Sequence, residues 1–180
     1  MKAMKAYTIQ FVGLKVGEHH FDYHIDNTFF LEFDFDEFNE ADLKVNLLFE
    51  KKTTLLELTF NVKGTINVNC DVSNEPFNQK IKDTFKLVVK FGEAYNNDNE
   101  EILIIPHGEY QINVAQYIYE LIVLAVPAKK VHPGIEDGTL QSDILNKLEE
   151  LSPEEGNTEE NNTEETDPRW DTLKKLLTDK

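Results

Sequence analysis

The sequence predicts an α+β protein: a curved, mainly antiparallel β-sheet with one helix packed against it. Three observations carry that prediction. From Tyr7 to Phe91, apolar and polar residues alternate with period two in run after run, the pattern of half-buried strands. The connections between runs are short, which suits antiparallel neighbours and not the longer crossovers that parallel pairs require. One broad apolar helical pattern, Asn113 to Val126, follows the strands and ends at Pro127, a residue that cannot continue a helix.

Taken in order, Tyr7 to Phe11 and His19 to Ile25 read as extended segments joined across Val16-Gly17. In the second, Phe21, Tyr23 and Ile25 alternate with His20, Asp22, His24 and Asp26. Phe29, Phe30, Leu31 and Phe33 follow, and Asp34 to Phe38 reads as a turn or short helical piece. Leu43, Val45 and Leu47 mark one side of the next strand; Leu56, Leu58, Phe60, Val62, Ile66 and Val68 mark one side of the strand after it. Asp71 to Pro76 gathers Asp, Ser, Asn and Pro, residues that favour turns. Phe77 to Phe91 resumes an extended pattern, Tyr95 to Glu101 is a polar break, and Glu101 to Ile105 is a short apolar strand stopped by Pro106.

Asn113 is placed to cap the long helix, with Gln116 three residues on to close a capping box. Ser142 is placed to cap a shorter helix through Leu151. The domain organisation that follows is a single α+β domain over residues 1–148, an acidic linker over 149–166 and an amphipathic helical segment over 167–180. The linker holds eight Glu and no Lys or Arg, a composition that cannot offset ordering entropy and predicts disorder. In the last segment Asp167-Pro168 makes a helix start, and Trp170, Leu173, Leu176 and Leu177 share one face.

The chain carries 34 acidic and 18 basic residues, a net charge of −16. That balance works against anionic membranes and against nucleic-acid binding in general, which draws on Lys and Arg. It steers the protein toward basic partners and leaves room for a local basic patch. The longest apolar run, Leu121 to Val126, is far short of the roughly 20 residues that span a bilayer. The start leads from Met1-Lys2 into Tyr7-Thr8-Ile9-Gln10 without an apolar signal region. A cytoplasmic protein without a membrane partner is expected. The lone Cys70 has no internal disulfide partner.

Catalytic patterns are missing from the sequence: there is no Gly-rich phosphate loop, H-E-x-x-H, G-x-S-x-G or C-x-x-C. His20, Asp22 and His24 share one face of a strand and read as a solvated polar face, although the same spacing suits metal ligands. Cys70 is a nucleophile only if a base such as His107 or His132 lies beside it. The expectation is a non-enzymatic protein with no cofactor and no small-molecule substrate. Lys80, Lys82, Lys86 and Lys90 share parity in the Phe77–Phe91 strand. They form either an ordinary solvated face or a basic row able to contact RNA. The segment around Trp170 docks on its own domain or in a partner groove.

Three stretches together resemble the YceD-like family, bacterial and plastid proteins associated with accumulation of the large ribosomal RNA, here in its Bacteroidetes-type branch. They are Gly64 to Phe77 with its cysteine turn and Pro-Phe, Glu109 to His132 with its helix, Pro127 and following His, and Asp167-Pro168-Arg169-Trp170 with the leucines after it. The resemblance implies a ribosome-biogenesis role supporting synthesis, processing or stability of the large-subunit (23S) RNA. Charge then suggests an adaptor or assembly chaperone for a basic large-subunit ribosomal protein or RNA-processing factor. Arg169, Trp170, Leu173, Lys174 and Lys175 are its candidate contacts. The alternative is an RNA-binding module using Lys80, Lys82, Lys86 and Lys90. Many relatives carry C-x-x-C in the turn and another Cys five residues after the His. Here Ser73 and Asp137 stand at two of those places beside Cys70 and His132, which implies a degenerate zinc site that binds no metal.

Overall fold

In the computed structural model, the structure describes residues 3–140 and 143–151. Strands β1 (Thr8–Gln10), β2 (Gly17–Ile25), β3 (Glu40–Lys51), β4 (Leu55–Asn69), β5 (Pro76–Gly92), β6 (Asn96–Asn99), β7 (Ile102–Pro106) and β8 (Gln111–Asn113) make two sheets. The larger has the order β2-β3-β4-β5-β7-β6. Every pair in it is antiparallel except β5 with β7, which is parallel. Its frame is the β4–β5 hairpin, paired from Leu55↔Lys90 to Asn69↔Pro76.

Alternation dictates which face of this sheet is dry. Leu43, Val45, Leu47 and Phe49 of β3 are fully buried, as are Leu56, Leu58, Phe60 and Ile66 of β4 and Val89 of β5. Each such side chain removed from water is worth about 1.5–3 kcal/mol. Helix α2 (Ala115–Leu124) packs on β4 and β5 over this face, and its Ile118 and Ile122 are fully buried. The residues of opposite parity form the second, solvated face.

Several elements differ from the sequence expectation for identifiable reasons. The Phe-rich run after Ile25 begins as a helix, α1 (Asn27–Leu31), because Asp26 caps it: its carboxylate accepts from the Thr28 N–H at 2.9 Å and the Thr28 hydroxyl at 2.6 Å. Those bonds hold the Asp26 carboxyl below its usual pKa. The rings that follow then cluster, with Phe33 stacked on Tyr119 at 4.3 Å and Phe30 edge-on to Phe38 at 5.0 Å. Strand β1 leaves the main sheet and pairs with β8, about a hundred residues later in the chain. The polar break after Tyr95 contains the edge strand β6, exposed throughout.

Asn113 ends β8 and accepts from the Ala115 N–H at 3.0 Å, so it does bond the helix start. Gln116 does not close a capping box; its side chain donates to Glu120 at 2.7 Å. A short helix α3 (Pro133–Glu136) follows. These elements belong to one unit, which runs to residue 142. Helix α4 (Asp143–Leu151) belongs to a second unit. It covers the first residues assigned to the acidic linker. The rest of that linker, Ser142 and the segment from 167 to 180 lie outside the described residues. No described helix is long and apolar enough to cross a membrane.

Candidate functional site

The solvated face of the large sheet carries six lysines and also the carboxylates of Glu18, Asp22, Glu40, Asp42, Glu50 and Glu57, and the lysines are grouped. Lys80, Lys82, Lys86 and Lys90 of β5 all point to it and are exposed. Register adds what one strand cannot show. Lys82 lies opposite Lys63, Lys63 opposite Lys44, and Lys44 opposite His24, so one row of basic side chains crosses four strands. Neighbouring strands are about 4.8 Å apart, and like charges placed directly opposite destabilise a sheet. None of the six lysines forms an ion pair among the described residues, although the chain has 34 carboxylates to offer.

The rows beside it are polar and neutral or acidic. Asn46, Asn61 and Thr84 follow in register, with the Thr84 hydroxyl donating to Asn61 Oδ1 at 2.9 Å and Asn46 donating to Asp22. Two rows further on, Glu18, Glu50 and Glu57 stand opposite one another. Lys52 serves that row from the β3–β4 turn, 2.6 Å from Glu57 and 3.7 Å from Glu50. The acidic row separates Lys90, opposite Leu55, from the other five lysines. On the other side of His24, its Nδ1 sits 3.7 Å from Asp42.

The register also depends on Gly64. Its φ of +153° and its closeness to β3 leave no room for a side chain, since a Cβ there would strike the Asp42 carbonyl oxygen. A glycine between Lys63 and Thr65 therefore lets β3 and β4 approach where the basic row crosses.

The opposite side of the molecule carries a groove of about 460 Å³ between β5 and α2. Its floor is aromatic: Phe85 stacks against Tyr117 with ring centroids 6.4 Å apart. Burial, then the neighbouring Tyr95 and Glu120, push the Tyr117 hydroxyl up to about 12. Asp83, Glu100 and Glu120 line the groove, and Leu124 beside them is 81% exposed.

The cysteine turn is closed by backbone. Cys70 Sγ accepts from the N–H groups of Val72, Ser73 and His132 at 3.4, 3.5 and 3.3 Å. Burial pushes the thiol up, but these bonds and one from the Ser73 side chain outweigh it and bring the pKa down to about 7. Asp71 ties the turn to Lys130: its N–H donates to the Lys130 carbonyl at 2.8 Å, and the Lys130 N–H donates to its carboxylate at 2.6 Å. The structure thus brings Cys70, Ser73 and the His132 backbone together.

It does not bring their side chains together as metal ligands. His132 Nδ1 accepts from the Gly134 N–H at 2.9 Å, and Asp137 accepts from the Thr139 hydroxyl at 2.6 Å. Zinc needs three or four converging donors, and this set does not fit it. Among the described residues no three His, Cys, Asp or Glu side chains are placed to hold a metal. His107 stacks on Phe91, and His20, Asp22 and His24 share the exposed side of β2. Arg169, Trp170, Leu173, Lys174 and Lys175 lie outside the described residues. Lys44 and Lys63, the centre of the basic row, escape a strand-by-strand reading. Each one's place opposite the apolar residues of its own strand is visible in the sequence, but their pairing depends on the turns that set register.

By fold, then, the chain is an open-sheet α+β protein with one apolar and one lysine-rich face. The family model described as large ribosomal RNA subunit accumulation protein YceD matches residues 58–177, and the chain belongs to that family. The match starts inside β4, so β1 to β3 precede it. No curated protein and no solved structure matches the chain.

Proposed function

We propose that the protein is a non-enzymatic, cytoplasmic factor for accumulation of the large ribosomal RNA, and that it contacts the RNA directly through the solvated face of its sheet. The family links the chain to that RNA. The observation that carries direct contact is the field of six unpaired lysines on one face of a protein with a net charge of −16. Phosphates are the natural counter-charge for such a field, and binding them releases counterions. The test is binding of the full chain to a transcript of the large RNA across a range of salt. Lys63→Glu/Lys82→Glu/Lys86→Glu is expected to weaken binding by about tenfold or more and to lower the slope against log salt by about one per lysine. Unchanged affinity and slope would contradict the reading.

The groove favours a second reading, an adaptor for a basic protein. Its carboxylates Asp83, Glu100 and Glu120 have no ion-pair partner among the described residues, and its aromatic floor suits an apolar, Lys- or Arg-bearing segment. In that reading Arg169, Trp170, Leu173, Lys174 and Lys175 remain additional candidate contacts for a ribosomal protein or processing factor. Transcript binding that ignores the lysines would favour this reading over the first.

A further inference from the structure

We infer that the RNA recognised by the lysine face is double-helical, held by its backbone and not by its bases. The inference rests on the proposal that this face meets RNA at all, and it follows from what the face has and what it lacks. The basic field is two-dimensional. Along β5, Lys80 and Lys82 are two residues apart, about 6.6 Å, and across the sheet the rows repeat at about 4.8 Å. A single strand is a line of phosphates and fills one row. Lys80–Lys82–Lys86 runs along β5, and Lys63 and Lys44 lead away from Lys82 across the sheet, which sets Lys44 about 10 Å from the β5 line; a duplex, with two lines of phosphate flanking a groove, reaches both.

Sheets that bind unpaired RNA hold its bases on exposed aromatic rings. Here no Phe, Tyr or Trp lies among the outward residues of β2 to β5. The rings of those strands belong to the opposite parity, with Phe49 and Phe60 fully buried. Between the lysines stand Thr59, Asn61 and Thr65, short neutral groups suited to sugar hydroxyls and phosphate oxygens. Asn61 already accepts the Thr84 hydroxyl, so its amide N–H groups are what it presents outward. Double-stranded RNA is read through such backbone and 2′-hydroxyl contacts, with little dependence on sequence.

The experiment compares two fluorescent RNAs of equal length, a hairpin with a continuous stem and a strand that cannot pair, each titrated with the full chain at several salt concentrations. The hairpin is expected to bind about tenfold tighter than the unpaired strand, and stems of scrambled sequence to bind alike. Lys44→Gln/Lys63→Gln/Lys82→Gln, which removes charge without reversing it, is expected to remove most of the preference. An unpaired strand that binds as tightly as the hairpin, with both dependent on the lysines, would overturn this inference and leave direct RNA contact standing. Failure to bind either RNA, or binding indifferent to the lysines, would overturn the underlying reading as well.

Discussion

Cys70 shows how backbone hydrogen bonds can stabilise a buried thiolate. Three backbone N–H groups converge on its sulfur, and hydrogen bonds to a charged form favour that form. With a folded pKa of about 7 against an ordinary 9.0, the thiolate contributes stability that is fully present above the unfolded value and is lost as pH falls through 7. The ultraviolet thiolate absorbance of the folded chain is therefore expected to titrate near pH 7. The stability gap between the natural chain and Cys70→Ala is expected to widen as pH rises from 7 to 9, measured by urea unfolding. A thiol that titrates near its ordinary value would show that the three amides do not act as described. The turn keeps its shape through these bonds and through the Asp71–Lys130 backbone pair, with Phe77 edge-on to His132 at 5.5 Å. At this scale the sequence reading grouped Cys70, Ser73, His132 and Asp137 from family resemblance, as the positions of a degenerate zinc site. It had no means of knowing that His132 would approach by its backbone while its ring caps α3.

The element that decides the surface chemistry is the three-stranded core of β3, β4 and β5. Its lysine row has a cost: Lys63 is flanked by Lys44 on one side and Lys82 on the other. Opposite charges in cross-strand pairs contribute about 0.2–1 kcal/mol each. Lys63→Glu alone is thus expected to raise the unfolding free energy by about 1 kcal/mol in low salt, with the gain shrinking as salt is added. The same change is expected to weaken RNA binding. A loss of stability on this substitution would mean that the row is not under like-charge strain. Such a trade separates a surface kept for binding from one kept for folding. The parity of Lys80, Lys82, Lys86 and Lys90 was legible in the sequence because period two is a local property of one strand. The row through Lys44 and Lys63 was not, because register is fixed by the turns after Lys51 and Asn69 and by the glycine at 64. For the same reason the partner of β1 is not legible in the sequence: pairing with β8 is a contact between distant segments. Strand β6, made of Asn and Asp alone, carries no apolar alternation from which to read it.

Across the whole molecule, charge is unevenly distributed in a way that composition conceals. A net charge of −16 argues for repulsion from RNA at long range, yet the solvated sheet face groups its lysines, with Lys63 flanked by Lys44 and Lys82 and the Glu18–Glu50–Glu57 row set apart from them. The aromatic groove with Asp83, Glu100 and Glu120 lies on the opposite side of the sheet, which leaves it accessible while the lysine face is occupied. The overall architecture was legible early, since alternation and the one apolar helix specify an α+β sheet protein. The link to the large ribosomal RNA was legible through the family resemblance, while net charge pointed toward a basic protein partner and the lysine row shows only once register is known. The most direct measurement is complementation in the protein's own host: deplete the protein, supply variants, and measure the ratio of large to small ribosomal RNA. The natural chain and a version with Lys44, Lys63, Lys82 and Lys86 changed to Arg are expected to restore the ratio. The version with all four changed to Glu, present at equal level, is expected to fail. Full restoration by the Glu version would contradict the claim that the lysine face is where this protein meets its RNA.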